Sequence, residues 1–192
     1  MLPTAVPVGP FRTVPNAVTL VRTVVAVLIG GVAAVSGDLA LLAAAYGVYW
    51  VGDIADGWFA RRLGQETRAG AVLDIVSDRA CTAVLAVGFA VAVPAALPVV
   101  VVFLLSFMVL DTMLSLAFLC WPVVSPNYFD AVDRRVWQLN WSPVAKAANT
   151  AGVVGAMALG AYAVAMAVAV VVILVKIWSA HRVVGLLGAR VS

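Results

Sequence analysis

Charged residues are scarce in this chain of 192 residues, where Asp, Glu, Lys and Arg make up only 11%. Soluble domains average about 25%. Histidine occurs once, and the two cysteines are Cys81 and Cys120. A chain with so little charge is not a soluble globular enzyme, a disordered segment or a nucleic-acid-binding module. Both cysteines lie in apolar sequence, which predicts two buried thiols rather than a disulfide.

Apolar residues account for 65% of the chain, and the mean hydropathy is +1.10. A helix needs roughly 20 apolar residues to span a bilayer. The pattern therefore predicts an all-α integral membrane protein that forms a single domain over residues 1–192. A short interfacial segment is expected within residues 2–11. Six transmembrane helices are predicted in residues 16–35, 39–60, 70–93, 98–121 and, as two spans separated at Gly160, 145–187.

The few basic residues are distributed unevenly between the connections. Arg12, the 61–69 and 122–143 loops, and the tail with Arg182 and Arg190 carry Lys or Arg. The turns near residues 36–38, 94–98 and 160 carry none. Because cytoplasmic loops retain Lys and Arg, we expect both termini and these loops on the cytoplasmic side of a cytoplasmic or inner membrane.

Nine charged residues fall between Asp53 and Arg79, where the second and third spans meet. Residues three or four apart share one face of a helix. Two acidic stripes, one on each helix, would thus converge at the cytoplasmic end of the pair. The full spacing is Asp53-x2-Asp56-Gly57-x2-Ala60-Arg61-x8-Gly70-x3-Asp74-x3-Asp78.

Four ionised carboxylates in one place repel each other unless cations lie between them. Hard divalent cations such as Mg²⁺ or Mn²⁺ prefer oxygen ligands and commonly bind substrate phosphates. The small residues of the pattern leave room for a ligand or a neighbouring backbone, and Arg61 can bind phosphate. The alternative is a set of structural ion pairs between the acids and Arg61, Arg62, Arg68 and Arg79.

The spacing resembles, position by position, the signature of the CDP-alcohol phosphotransferases, membrane enzymes of phospholipid synthesis. The resemblance implies six spans around a polar cavity open to the cytoplasm, a homodimer, and divalent-metal-dependent displacement of CMP from a CDP-linked lipid or alcohol. It implies two metal ions held by Asp53, Asp56 and Asp74, with Asp78 as general base close to a metal. It also implies that Gly57, Ala60, Arg61 and Gly70 line the CDP site.

The first span opens with Pro15-Asn16-x2-Thr19-x2-Arg22. This resembles the branch of the family that uses CDP-diacylglycerol, in which Asn16, Thr19 and Arg22 would approach the nucleotide. From the residues alone, Asn16 is expected to cap the helix. Arg22 lies about 9 Å into the helix, which favours a phosphate or acidic partner over a position at the interface.

The residues around the last acid favour one acceptor alcohol. Arg79 and Cys81 follow Asp78, and this resembles phosphatidylinositol synthases. Phosphatidylglycerophosphate synthases usually have Pro at the position of Ile75 and Lys at the position of Arg79. Inositol or inositol phosphate is therefore the first expectation, and glycerol 3-phosphate the second. Asp111, deep in the fourth span, needs a bonding partner or an acceptor hydroxyl. A phosphorylated acceptor would need a cationic pocket, for which the candidates are Arg134, Arg135, Lys146, His181 and Arg182.

A cation transporter is the alternative outside the enzymes. Transporters place ion sites near the membrane midplane on interrupted helices. The acidic stripes here lie near the cytoplasmic helix ends, and the spans carry no paired Gly or Pro interruptions. The sequence therefore favours a transferase that binds CDP-diacylglycerol, a small polar alcohol and membrane lipid, without nucleic acid.

Overall fold

The computed structural model describes residues 7–191, with the side chains of residues 149, 150, 190 and 191 excepted. Every regular element in this range is helical, which confirms the all-α prediction. The described chain falls into two compact units, residues 7–97 and residues 98–191. Residues 2–6 of the expected interfacial segment lie outside the described range, and the single-domain assignment stays a prediction.

Three long helices form the first unit: α1 (Val14–Ser36), α2 (Leu39–Arg62) and α3 (Arg68–Ala92). Each begins at a side-chain cap, which supplies an acceptor to backbone N–H groups that lack a helical partner. Asp38 Oδ1 accepts from the Ala40 N–H at 2.8 Å, and Thr67 Oγ1 accepts from the Gly70 N–H at 2.9 Å. The connections comprise only residues 37–38 and 63–67, so helices consecutive in sequence lie beside each other.

The cap of α1 differs from the expectation. Asn16 was expected to cap this helix, but the cap is Thr13, whose hydroxyl accepts from the Asn16 N–H at 3.3 Å. Helix α1 thus starts one turn earlier than its polar residues suggest. Asn16 is left inside the helix, where its side-chain amide donates to the Phe11 carbonyl at 2.6 Å.

Small residues line the contacts among the three helices. Ala26 on α1 and Ala45 on α2 are completely buried. A Cβ on Gly30 would lie 3.1 Å from Val84 on α3, and a Cβ on Gly88 would lie 3.0 Å from Leu42. Small side chains let membrane helices approach closely enough for polar groups to reach across. This packing sets the distance between α1 and the acidic stripes.

The second unit contains most of one interrupted helical run and one long helix. The run Pro94–Cys120 begins with a 3₁₀ turn at Pro94–Ala96, so the turn expected over residues 94–98 is shorter than predicted. It continues through α4 (Leu97–Leu105), a π-helical segment (Ser106–Asp111), α5 (Thr112–Leu116) and a 3₁₀ turn (Ala117–Cys120). The long helix is α9 (Tyr162–Val191).

Short elements connect these two parts of the second unit. They are a 3₁₀ segment (Pro126–Ala131), α6 (Arg134–Asn140), α7 (Pro143–Lys146), a π-helical segment (Ala147–Ala151) and α8 (Gly152–Ala158). Gly160, with a φ of 71°, separates α8 from α9, which confirms the predicted break. Only glycine adopts this left-handed conformation readily.

Five helices within the described residues are long and apolar enough to cross a membrane: Val14–Ser36, Leu39–Arg62, Arg68–Ala92, Pro94–Cys120 and Tyr162–Ala189. The predicted fifth of six spans corresponds to residues 143–158, in pieces of four, five and seven residues. At the α-helical rise these cover about 24 Å, less than the roughly 30 Å of a hydrocarbon core. The count of six spans and the cavity stay predictions.

The carboxylate of Asp111 was predicted to need a partner. Asp111 has the expected bonding partner, because the Lys176 ammonium on α9 donates to its carboxylate. Lys176 is only 3% exposed, so the pair is formed inside the helical packing.

Both cysteines are free thiols, as predicted, but only Cys81 is buried. Cys120 is exposed at the end of its helical run, so its predicted burial is wrong.

We expect Lys176→Met to destabilise the protein by about 3 kcal/mol, because Asp111 would lose its buried counter-charge. The double variant Lys176→Met/Asp111→Asn should recover most of that loss. Thermal unfolding in detergent measures both effects. Lys146→Met, at an exposed lysine on α7, is the matched control and should change stability little. A double variant as unstable as Lys176→Met would contradict the pairing.

Candidate functional site

The guanidinium of Arg22 binds all four acidic residues of the signature. Its Nε lies 2.8 Å from Asp56 Oδ2. Its Nη2 lies 2.6 Å from Asp74 Oδ1, 3.1 Å from Asp78 Oδ1 and 3.2 Å from Asp53 Oδ1. The arginine expected to find a phosphate or acidic partner therefore has four acidic partners.

Three helices supply this cluster from matching depths. Asp53 and Asp56 lie on α2, Asp74 and Asp78 lie on α3, and Arg22 lies on α1. Helix α2 ends where α1 and α3 begin, so the acids lie about two to three turns from one common end of the bundle. The predicted convergence of the two acidic stripes is thus present in the first unit.

Two hydrogen bonds donated by backbone N–H groups join the elements at this common end. The Val14 N–H donates to Gln65 Oε1 at 3.0 Å, which joins the start of α1 to the α2–α3 connection. The Ala69 N–H donates to the Val8 carbonyl at 3.0 Å, so the chain preceding α1 lies along the start of α3. These bonds fix the register of the three helix ends, and with it the level at which the charged side chains meet.

The four carboxylates differ in how much of their surface remains open. Asp56 is 6% exposed, and the Thr19 hydroxyl donates to its Oδ2 at 2.7 Å. The side chains of Asp53 and Asp74 are 37% and 41% exposed. Asp56 is therefore held by α1, whereas Asp53 and Asp74 keep oxygen atoms available to a ligand.

Oxygen atoms of Asp53, Asp56 and Asp74 lie within 4.8 Å of one another, close enough to hold one metal ion. Asp78 is outside this group of three but shares Arg22 Nη2 with Asp53 and Asp74. Four ionised carboxylates around one guanidinium keep three formal negative charges. An all-oxygen donor set with this charge suits a hard divalent cation. The residues present therefore fit the metal that the sequence predicts.

One atom of the arginine has no partner. Arg22 Nη1 is buried and has no hydrogen-bond acceptor among the described residues. A buried guanidinium donor without an acceptor costs free energy. It is also a ready donor to an oxyanion such as phosphate.

The other predicted nucleotide residues surround the same end of the bundle. A Cβ on Gly70 would lie 2.7 Å from Asn16 Oδ1, so the space beside this glycine is filled by the amide of α1. The Arg61 guanidinium lies over Gly57, 3.3 Å from where a Cβ would be. Arg61 is exposed and Ala60 is half-buried on the last turns of α2.

Two residues of the site were not found from the sequence. The Arg22 guanidinium lies over the Tyr49 ring, 5.4 Å from its centroid, and Gly52 packs against the Arg22 stem. Both share the face of α2 that carries Asp53 and Asp56. The three- and four-residue spacing of Tyr49, Gly52, Asp53 and Asp56 was the available signal, but it identifies a face only once Arg22 is known to lie against it.

The basic candidates for the acceptor belong to the second unit. Arg182 Nε donates to Asp133 Oδ2 at 2.5 Å, and Lys146 donates to Asn127 Oδ1 at 2.8 Å. Burial alone would raise the pKa of Asp133, but hydrogen bonds from the Val136 backbone and Arg182 lower it below its usual value. The remaining candidates are exposed, and they are Arg134, Arg135 and His181.

One known family matches most of the chain. The family model described as CDP-alcohol phosphatidyltransferase matches residues 12–178. The chain therefore belongs to the CDP-alcohol phosphatidyltransferase family, whose members are transferases that move a phosphatidyl group from a CDP-alcohol to an alcohol. No curated protein and no solved structure matches the chain significantly.

We expect Arg22→Gln to lower the unfolding temperature in EDTA, because removal of a buried counter-charge costs about 3 kcal/mol. Mg²⁺ should restore part of the loss, since it neutralises the same carboxylates. Arg22→Lys keeps the charge and should lose less. Thermal unfolding of the purified protein with and without Mg²⁺ measures this. Equal losses for the Gln and Lys variants would contradict the role of charge.

Proposed function

We propose that this protein transfers the phosphatidyl group of CDP-diacylglycerol to a hydroxyl of inositol or inositol phosphate, with release of CMP. The observation that carries the proposal is the convergence of four carboxylates from α2 and α3 on one buried cation of α1. This arrangement joins the whole acidic signature to the polar residues of the first helix. A structural ion pair would need one carboxylate, not four.

Asp53, Asp56 and Asp74 would hold the divalent cation, Mg²⁺ or Mn²⁺, and Asp78 would border a second ion. When bound, the metal supplies positive charge to the diphosphate as negative charge develops during phosphoryl transfer. The exposure of Asp53 and Asp74 supports this role, because both keep oxygen atoms open to a ligand.

Asp78 would act as the general base. The acceptor hydroxyl attacks the lipid-side phosphorus of CDP-diacylglycerol, a new O–P bond forms, and the bond to the CMP oxygen breaks. The hydroxyl proton goes to the Asp78 carboxylate. The position of Asp78 outside the three-carboxylate group supports this role, since its oxygens are not all committed to that group.

The nucleotide would be bound by the polar and small residues at the common helix end. Arg61, exposed on the last turn of α2, is free to contact phosphate, and Gly57 beside it leaves space. The bottom of this site would be formed by Asn16, Thr19 and Gly70. Some of their polar atoms are already engaged within the protein, because Asn16 packs on Gly70 and the Thr19 hydroxyl donates to Asp56. Ala60 is the last of the residues proposed for the nucleotide site. Arg22 Nη1 offers one further hydrogen-bond donor.

The acceptor assignment rests on Arg79 and Cys81 after the last acid, with glycerol 3-phosphate as the alternative. The candidates for binding the phosphate of a phosphorylated acceptor remain Arg134, Arg135, Lys146, His181 and Arg182, and all five are exposed. We further propose that the protein is a homodimer with six spans, that both termini are cytoplasmic, and that the site opens to the cytoplasm, where inositol and CMP are soluble.

The reaction predicts that Asp78→Asn abolishes CMP release from CDP-diacylglycerol, because an amide cannot take the hydroxyl proton. Release by the unaltered protein should require Mg²⁺ or Mn²⁺ and stop in EDTA. CMP formation in detergent micelles measures both. Asp38→Asn, at the opposite end of α2 where Asn also caps helices, is the control and should keep full activity. An active Asp78→Asn variant or metal-independent release would refute the mechanism.

The acceptor is tested by offering inositol, inositol phosphate, glycerol 3-phosphate and serine separately with CDP-diacylglycerol. We expect lipid product with inositol or its phosphate and at most about a tenth of that rate with the others. If inositol phosphate is used, Arg134→Gln and Arg135→Gln should raise its KM. Product from glycerol 3-phosphate alone would replace our acceptor assignment while leaving the transfer reaction in place.

A further inference from the structure

The face of α2 that meets Arg22 carries a glycine at the point of closest approach. A Cβ on Gly52 would lie 2.5 Å from Arg22 Cβ, 2.7 Å from Cδ and 3.1 Å from Cγ. Side chains do not approach to 2.5 Å, so any other residue here would displace the Arg22 stem or separate α1 from α2. The atoms affected belong to the same side chain that holds the four carboxylates.

Tyr49, one turn before Gly52, covers the other part of the same arginine. Its ring centroid lies 5.4 Å from the guanidinium carbon of Arg22. A cation over an aromatic face is attracted to it, more strongly when water is excluded. Gly52 thus admits the stem and Tyr49 covers the charged group, so that Nε and Nη2 point at the carboxylates.

The Arg22 side chain has little freedom to adjust to an added methyl group. Its side chain is 2% exposed and its guanidinium makes four ion pairs, three of them through the single atom Nη2. A shift of the stem by the width of a methyl group would break several of these contacts together. The absence of a Cβ at position 52 therefore allows Arg22 to keep its ion pairs with the four carboxylates.

We propose that Gly52 is a positioning residue, which seats Arg22 among the four carboxylates and so sets the geometry of the metal-binding group. The effect of Gly52 on catalysis rests on the proposed function. The placement of Arg22 by Gly52, which we call the seat, does not. Gly30 and Gly88 in the same unit lie against apolar side chains, Val84 and Leu42, and Gly57 and Gly70 lie against Arg61 and Asn16. Gly52 differs because its neighbour is the counter-cation.

The test compares Gly52→Ala with Gly47→Ala on the same helix, where a Cβ would meet nothing within 4 Å. Both changes raise helix propensity equally. We expect Gly47→Ala to keep or slightly raise the unfolding temperature and to leave CMP release unchanged. Gly52→Ala should lower the unfolding temperature by about 5 °C or more in EDTA and by less than half as much with Mg²⁺. It should reduce CMP release about tenfold. Where Mg²⁺ stabilises the unaltered protein, an equal drop in both conditions would overturn the proposal, because a packing defect does not depend on metal. The absence of any drop in EDTA would overturn it as well.

A double-mutant cycle in EDTA tests the seat without metal or substrate. In an Arg22→Gly background the added Cβ at position 52 has no stem to displace. There, Gly52→Ala should shift the unfolding temperature by no more than about 1 °C, whereas independent sites would give additive shifts. Additive losses would overturn the inference. If Mg²⁺ does not stabilise even the unaltered protein, or CDP-diacylglycerol yields no CMP, the proposed function fails, and a non-additive cycle would still support the seat.

Discussion

The requirement to balance charge inside an apolar bundle determines the arrangement of α1, α2 and α3. Arg22 lies where water cannot solvate it, and the acids of two other helices satisfy it. Four carboxylates can converge only because that cation stands between them. The caps at Thr13, Asp38 and Thr67 and the small residues between the helices serve the same end. They fix where each helix starts and how closely the charged side chains approach.

The carboxylates of the cluster differ in how firmly they are held and how exposed they are, and this difference matters for ligand binding. Asp56 is fixed by both Arg22 and Thr19, whereas Asp53 and Asp74 remain partly open. A fixed carboxylate preorganises a site, and open carboxylates admit a ligand. The surplus of negative charge suits a hard divalent cation.

The sequence predicts much of this site because helical spacing fixes which residues share a face. The two acidic stripes, the polar side of α1 and the break at Gly160 follow from local pattern. Partners across helices do not, because they depend on how each helix is rotated. Only the three-dimensional structure shows Lys176 as the partner of Asp111 and Gly52 as the neighbour of Arg22. The sequence predicts the wrong cap for α1, Asn16 instead of Thr13, because both have capping side chains and only the chain path before α1 distinguishes them.

The order of the helices has a consequence for how the chain enters the bilayer. Arg22 lies on α1, which is synthesised before any of the four acids. An arginine at the centre of a lone spanning helix costs about 3 kcal/mol, and α1 alone has no residue to offset it. Helix α2 brings the first two carboxylates, and α3 the other two. The α1–α2 hairpin is thus the smallest piece in which this arginine is neutralised, and insertion of the first helix gains from the arrival of the second.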